Sequence, residues 1–451
     1  MPAFPFAGEL AGPAPTAPSE RISSVDVVRG FALLGILLLN ICAFALPFMA
    51  YMDPTLIGDA GDANRWTWAV NQVLADGKMR GLFSMLFGAG VIILTSRAAD
   101  RGLAADIADI YCRRTLWLLL FGLLHAYFIW SGDILVFYAV AGLMLYPFRK
   151  LRPRALIAAG VCLLLVPSLF NTGAAFGIGE LRESAAKYEA LAASGTTLTY
   201  EQKQAVEEWK GLIGFFRPDA ESLQREIDSA RGGFADVFGL RAGQTRFMHT
   251  KYLYGEGLFD ALGMMLLGMA LMKLGFFSAA LSRPAYVKIA AIGYTAGIPA
   301  SALGAWWIWQ ADFDVVAMHQ GWAVHGLARL PVALAHASVL LLVCQAGALS
   351  WLTSRLAAVG QMALTNYLMT SIICTTIFYG YGFGMFARLE RYELYYVVAG
   401  VWTFQLVTSK IWLTYFRFGP FEWAWRSLTY WRRQPMRQVS PAPAGAVASV
   451  G

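Results

Sequence analysis

Val27–Phe48 reads VVRGFALLGILLLNICAFALPF, twenty-two residues with a single charge, Arg29. An α-helix rises about 1.5 Å per residue, so a run of this length covers a hydrocarbon core of roughly 30 Å. Nine further apolar runs follow at about 81–96, 112–130, 133–148, 154–170, 255–275, 285–309, 326–350, 356–380 and 394–416. Several are short and need flanking amphipathic turns to span, as Trp66 to Arg80 supply before the second. The composition agrees: of 451 residues, 57% are hydrophobic and only 14% charged. Soluble domains carry about 25% charged residues, so this chain has too little polar surface to cover a water-soluble globule. The expected fold is an all-α polytopic membrane protein with about ten transmembrane helices.

The first run also has the form of a secretory signal, with Ala43-Phe44-Ala45 as a cleavage site. It is read as a retained span, because its removal would spoil the alternation of loop charges. A lipoprotein reading fails on Ile41, which precedes Cys42 where a small residue is needed. The net charge of +7 comes from 36 Lys+Arg against 29 Asp+Glu. Basic residues gather in cytoplasmic loops of membrane proteins, so the excess points to topology and not to nucleic acid. Arg97, Arg101, Arg113 and Arg114 fall in one inside loop, and Arg149, Lys150, Arg152 and Arg154 in the next. Lys273, Arg283 and Lys288 follow, then Arg417, Arg426, Arg432, Arg433 and Arg437 near the end. The outside segments are poorer, with no Lys or Arg in 131–133 or 310–325 and Arg388 and Arg391 in 381–393; the exception is 49–80, with Arg65, Lys78 and Arg80. This pattern places both termini in the cytoplasm. The five cysteines form no CxxC and lie in or beside apolar runs, where they serve as small hydrophobes.

Asn171 to Tyr254 breaks the pattern, with 10 Lys+Arg against 11 Asp+Glu. Leu181–Leu191 and Tyr200–Phe216 have helical spacing with oppositely charged pairs three and four apart. This stretch is expected to form an extracytoplasmic insertion of two or three amphipathic helices. The chain therefore divides into a disordered tail at 1–20, a five-helix half at 21–170, the insertion at 171–254, a second five-helix half at 255–432 and a disordered cytoplasmic tail at 433–451.

Ionisable groups at membrane depth cost about 2.5–3.5 kcal/mol each on insertion scales, so they face a partner or a cavity. Asp26, Arg29 and Asn40 share one face of the first helix at 100° per residue. His125 in the third run has Asp133 eight residues on, beyond a turn. That His is either a proton carrier whose tautomer the carboxylate fixes or a hydrogen bond to a neighbouring helix. His325, Arg329 and His336 share a face of the eighth run and suggest a hydrophilic cavity between the first, third and eighth helices. Asp133 is the expected partner of Arg329 there. Asp76-Gly77-Lys78-Met79-Arg80 opens the second run as a polar knot, either a headgroup contact or a binding element. Glu256 and Asp260, one helical turn apart, call for a cation, a basic partner or a raised pKa. Neither HExxH, GxSxG nor a P-loop is present.

The stretch from Arg21 through Asp26, Arg29, Gly30 and Gly35 to Asn40 resembles the start of the YeiB-like family of bacterial inner-membrane proteins, which carry a DUF418 domain. Three further blocks carry the same resemblance: Gly77 to Gly90; Gly122 to His125 with Gly132-Asp133; and Val359 to Tyr367 continuing to Gly419-Pro420-Phe421-Glu422-Trp423 and Arg426. The first helix is also similar to those of transmembrane acyltransferases, which carry an Asp-x-x-Arg pair at the cytoplasmic end, matched here by Asp26 and Arg29. Eleven residues on, the bacterial O-acyltransferases have His and the lysosomal heparan-alpha-glucosaminide N-acetyltransferase has Asn, as here at Asn40. The lysosomal enzyme's catalytic His falls where this chain has Tyr51, which leaves His125 as the substitute.

The resemblance implies transfer of an acyl group from cytosolic acyl-CoA to an extracytoplasmic hydroxyl or amine. Arg29 would hold anionic donor groups, Asn40 line the path, and His125 with Asp133 act as general base. Asp26, Lys78, Arg80, Arg329 and His336 complete the candidate binding residues. No metal and no permanently bound cofactor are expected, and acyl-CoA enters as donor. The expected partners are the lipid bilayer and a small-molecule, lipid or glycan substrate, with a homodimer left open and no nucleic acid. The alternative is a transporter or channel for a small solute or proton, built from the same buried charges.

Topology is testable directly. A single cysteine at position 210 of a variant without native Cys should react with an impermeant maleimide in intact cells. Reaction only after permeabilisation would reverse the assignment.

Overall fold

The computed structural model describes residues 21–58, 61–100 and 106–438. The expected N-terminal tail 1–20 and residues 439–451 lie outside the described residues. Sixteen α-helices appear among those described, and no strand longer than an isolated bridge. They are α1 (Ser23–Ala45), α2 (Asp62–Leu74), α3 (Lys78–Asp100), α4 (Ile107–Phe128), α5 (Leu135–Leu145), α6 (Pro153–Ala193), α7 (Tyr200–Phe216) and α8 (Ala220–Arg231). There follow α9 (Phe234–Phe247), α10 (Leu258–Lys273), α11 (Arg283–Gln310), α12 (Val315–Ala346), α13 (Ser350–Gln361), α14 (Ala363–Phe378), α15 (Leu394–Tyr415) and α16 (Pro420–Thr429). A π-helical stretch, Met248–Gly257, joins α9 to α10.

Every apolar run of the sequence is helical. Six helical units are long and apolar enough to cross a membrane: α1, α2–α3, α6, α9–α10, α11 and α12. The α13–α14 pair makes a seventh, bent by 85°. The other three runs form α4, α5 and α15. Eleven residues give α5 a length of about 16 Å, half the hydrocarbon thickness. Asp109, Arg113 and Arg114 lie in α4, and Gln405 and Lys410 in α15. These three helices pack inside or against the bundle without being spans by length and composition.

The 171–254 segment begins inside α6, which runs unbroken for 41 residues, or about 60 Å. Three helices then fold back, α7 to α9. Glu226 on α8 accepts from the Phe48 backbone N–H at 2.9 Å, tying this layer to the segment after α1. Burial raises the Glu226 carboxyl above its usual range. At the other end of the chain, the tail expected from 433 starts as ordered backbone. Arg417 N–H donates to Met436 O and Gln438 N–H to Tyr415 O.

Close glycine crossings bring the helices together, two of them at carbonyl contact on both sides. Apolar side chains gain little from leaving lipid for one another, so membrane helices associate where small residues let backbones meet. Gly30 of α1 abuts the Leu356 carbonyl of α13, and Gly360 of α13 abuts the Asp26 carbonyl of α1. Gly88 of α3 and Gly268 of α10 make the same reciprocal contact through the Met265 and Met85 carbonyls. A methyl group at any of the four would overlap a carbonyl oxygen. The bend after α13 has its own anchor in Glu422 of α16. Its Oε1 accepts from Leu364 N–H at 2.6 Å and Thr365 N–H at 3.0 Å, and its Oε2 accepts from the Thr365 hydroxyl at 2.5 Å. A carboxylate on the exposed amides and positive dipole end of α14 supplies the cap that the bent chain lacks.

Gly268→Ala should lower stability by about 1–3 kcal/mol, the cost of overpacking a filled contact. Gly90→Ala, where nothing lies within 4 Å of the added carbon, should be neutral or stabilising by up to about 1 kcal/mol through helix propensity. Thermal unfolding of the two purified variants checks this; equal losses would contradict the crossing account.

Candidate functional site

His125 lies in the last turn of α4, and Asp133 just ahead of α5. Gly122 lets the two helices close on each other, since a side chain there would meet the Val136 backbone. The α4 C-terminus is held from α9: Arg241 donates to the Phe128 and Ile129 carbonyls at 3.0 and 2.5 Å, and the Thr245 hydroxyl to Ala126 O at 3.0 Å. A guanidinium on the terminal carbonyls of a helix satisfies groups that have no intrahelical partner. The insertion therefore fixes the turn that carries the candidate base.

His125 Nδ1 meets Asp133 Oδ1 at 2.8 Å, with both side chains essentially inaccessible. Asp133 Oδ2 accepts from Val136 N–H at 2.7 Å, capping α5. A carboxylate only accepts, so Nδ1 carries a proton, and in the neutral imidazole Nε2 is the nitrogen that presents a lone pair. Nε2 is buried and has no hydrogen-bond partner among the described residues. Tyr367 of α14 completes the group: its hydroxyl accepts from Ile134 N–H at 3.1 Å and donates to Asp133 Oδ1 at 3.4 Å. Trp130 packs beside the imidazole and stacks on Phe44 at 3.9 Å.

Tyr367 is also a wall of a cavity of about 270 Å³ lined by α1, α3, α4, α5, α13, α14 and α16. Five arginines line it: Arg21, Arg29, Arg97, Arg114 and Arg426, with Asp26 and Glu422 among them. Arg29 pairs with Asp26 at 2.8 Å, as the three-residue spacing implies. Arg114 lies 3.8 Å over the Trp425 ring of α16, and that indole N–H donates to Arg114 O. Deeper, the walls are apolar, with Phe83, Phe87, Leu118 and Leu135. Gly90 faces open space there. The two phenols of Tyr138 and Tyr367 line the cavity as well. The cavity thus combines a cationic region, an apolar wall and hydroxyls, one of which touches Asp133.

A second polar cluster occupies the opposite end of α3. Gly77, at φ +68°, breaks the helix between α2 and α3 and lies against His325 and Arg329 of α12. The fully buried Lys78 donates to Gln72 O at 2.5 Å and lies 3.5 Å from His325 Nδ1. His325 Nε2 faces Asp76 Oδ2 at 3.7 Å, and Tyr51 donates to Asp76 Oδ1 at 3.1 Å. Asp260 holds two cations, Arg329 at 2.5 Å and Arg80 at 3.1 Å. Arg80 also donates to the Tyr252 hydroxyl at 3.0 Å. Tyr138 joins the two regions, because its hydroxyl bonds Ser84 Oγ at 2.7 Å and the Arg80 carbonyl at 3.3 Å.

Several sequence expectations need correction here. Arg329 pairs with Asp260, because α12 packs on α3, α6 and α11 whereas Asp133 sits where α4, α5 and α14 converge. The cavity lies beside α1, α3 and α4 and excludes α12. Asn40 is half-buried, makes no side-chain hydrogen bond among the described residues and lies outside that cavity's lining. His336 is held by the Tyr294 hydroxyl at 2.8 Å and Leu74 O at 2.9 Å, a bridge from α12 to α11 and α2. The like-charged pair has the basic partners its spacing called for on Asp260, which holds two arginines, while Glu256 accepts from Asn171 at 2.8 Å. Sequence reasoning missed Tyr138, Tyr367, Arg114 and the role of Glu422. For Tyr367 and Glu422 the only signal was the shared motif block.

A family described as protein of unknown function, DUF418, matches residues 271–432. The uncharacterized protein YeiB of Escherichia coli (strain K12) is 33% identical over 94% of this chain and 98% of its own length. The uncharacterized protein YxaH of Bacillus subtilis (strain 168) is 31% identical over 94% of this chain and 97% of its own. No solved structure matches the chain.

Proposed function

The chain belongs to the YeiB-like family of integral membrane proteins, and from that premise we propose that it transfers an acyl group from acyl-CoA to an acceptor across the bundle. The observation that carries the reading is the cavity. Its arginines suit the phosphates of a nucleotide-linked donor, its apolar wall suits an acyl chain, and Tyr367 links it to His125–Asp133. In this reading the protein sits in the inner membrane with both termini in the cytoplasm, so the arginines face the cytosol.

The chemistry follows from the groups present. The acceptor's hydroxyl or amine attacks the thioester carbonyl carbon while His125 Nε2 takes its proton. The tetrahedral intermediate then collapses, the C–S bond breaks, and the thiolate leaves with the proton returned by the imidazolium. Asp133 stabilises that imidazolium and holds its orientation. Tyr367 is a positioning residue for Asp133, to which its one hydroxyl proton is given.

A transport reading draws on a different observation, the line of titratable groups Tyr51, Asp76, His325 and Lys78 at the other end of α3. Transfer is favoured because the unpaired His125 Nε2 has a use in it.

Proteoliposomes loaded with bacterial envelope glycans and lipids, given radiolabelled acyl-CoA outside, provide the test. Wild type should move label to an internal acceptor. His125→Ala should lose about 10²-fold or more of that rate with the folded yield unchanged. Gly90→Leu should fill the apolar wall and shorten the longest acyl chain accepted. Equal rates in wild type and His125→Ala, or no labelled product with any chain length, would overturn the proposal.

A further inference from the structure

The chain after α15 is one-sided in charge. Between Phe416 and Gln438 it carries Arg417, Arg426, Arg432, Arg433 and Arg437 against a single acid, Glu422. That acid spends both oxygens on the start of α14. On the neighbouring α4, Asp109 is paired with Arg113 at 2.8 Å. Among the described residues none of the five arginines forms an ion pair.

These arginines stand on folded backbone. Trp431, at φ +52°, turns the chain back after α16. The Trp423 indole N–H donates to Gln434 O at 2.8 Å, Arg417 N–H to Met436 O at 2.9 Å and Gln438 N–H to Tyr415 O at 3.0 Å. Arg432, Arg433 and Arg437 are exposed on that returning strand of chain. Orientation in a membrane needs only basic charge; it does not need that charge fixed on a hairpin.

Two apolar faces end at this segment. Leu116, Leu120 and Leu124 are exposed along one side of α4, and Phe404, Val407 and Ile411 along one side of α15. The first reaches the segment where Trp117 meets Trp431 at 6.2 Å between ring centroids. The second reaches it at Tyr415, whose carbonyl holds Gln438. Apolar side chains turned out of a membrane bundle lie against lipid chains, and tryptophans with basic residues just beyond them lie at headgroup level.

We infer that the segment Arg417–Arg437 is a docking surface for anionic phospholipid. The headgroup phosphates lie on Arg432, Arg433 and Arg437, and the chains run along the outward faces of α4 and α15. The surface stands whether or not the bundle transfers an acyl group. Its other side is α16, which lines the donor cavity with Trp425 and Arg426.

Thermal unfolding of the full chain in a neutral detergent tests the surface, with phosphatidylglycerol, phosphatidylcholine of the same chains and soluble glycerol 1-phosphate as probes. Phosphatidylglycerol should raise the midpoint saturably and well beyond phosphatidylcholine, and glycerol 1-phosphate should not raise it. Each arginine near a lipid surface is worth about fivefold in affinity, so Arg432→Gln, Arg433→Gln and Arg437→Gln together should cost about 10²-fold. Lys at the same three positions should keep the shift, because charge and not fork geometry is read. Should the triple Gln variant fail to fold, Arg437→Gln alone should still cost about fivefold. Changing Lys203, Lys210 and Arg225 of the insertion to Gln removes the same charge elsewhere and should leave the shift intact. Equal shifts from the two lipids, an equal loss in that insertion variant, or a comparable shift from glycerol 1-phosphate would overturn the inference. A shift lost in Arg114→Gln and intact in the triple Gln variant would move the lipid into the cavity and overturn it as well.

Discussion

Buried carboxylates in an apolar bundle organise this molecule. Removing a carboxylate from water costs several kcal/mol unless a counter-charge or several hydrogen bonds meet it, so each one dictates what must stand beside it. Asp26 requires Arg29. Asp133 requires His125, the start of α5 and the Tyr367 hydroxyl. Asp260 gathers Arg80 and Arg329 from two other helices. Glu422 takes the N-terminus of α14 and so fixes an 85° bend in the chain. Helices that share little driving force in lipid are thereby given specific neighbours, and two reciprocal glycine contacts bring α1 onto α13 and α3 onto α10 closely enough for those pairs to form.

The consequence is a bundle with two polar regions at opposite ends of α3. One is a cavity whose arginines come from α1, α3, α4 and α16 and the segment before α1. The other is a compact network between the α2–α3 break, α10 and α12. Tyr138 of α5 touches both. The short α5, too short to span, makes the contact between them possible, because it starts at Asp133 in the bundle interior.

The helical spans and the His125–Asp133 pair were legible in the sequence because both are local. Apolar runs need only length, and the pair is separated by one turn. Arg29–Asp26 was legible for the same reason. Arg329 was not: choosing between Asp133 and Asp260 requires knowing which helices are neighbours, and helical periodicity gives a face without naming what it faces. Asn40 shared a face with Arg29 yet gained no polar partner among the described residues. The roles of Tyr367 and Glu422, marked only by the shared motif block, were hidden for a different reason. A tyrosine in an apolar run and a glutamate after a Gly-Pro turn acquire their roles only when α14 bends back, and the bend itself depends on Glu422.

The central claim is that one cavity joins the arginine cluster to the buried His125–Asp133 pair through Tyr367. An electron cryo-microscopy map of the purified protein with a non-hydrolysable acyl-CoA analogue tests it most directly. The account predicts phosphate density beside Arg29, Arg114 and Arg426, with the acyl chain running along Gly90 towards Tyr367. A cavity filled by a bilayer lipid, with the analogue absent or bound elsewhere, would contradict it.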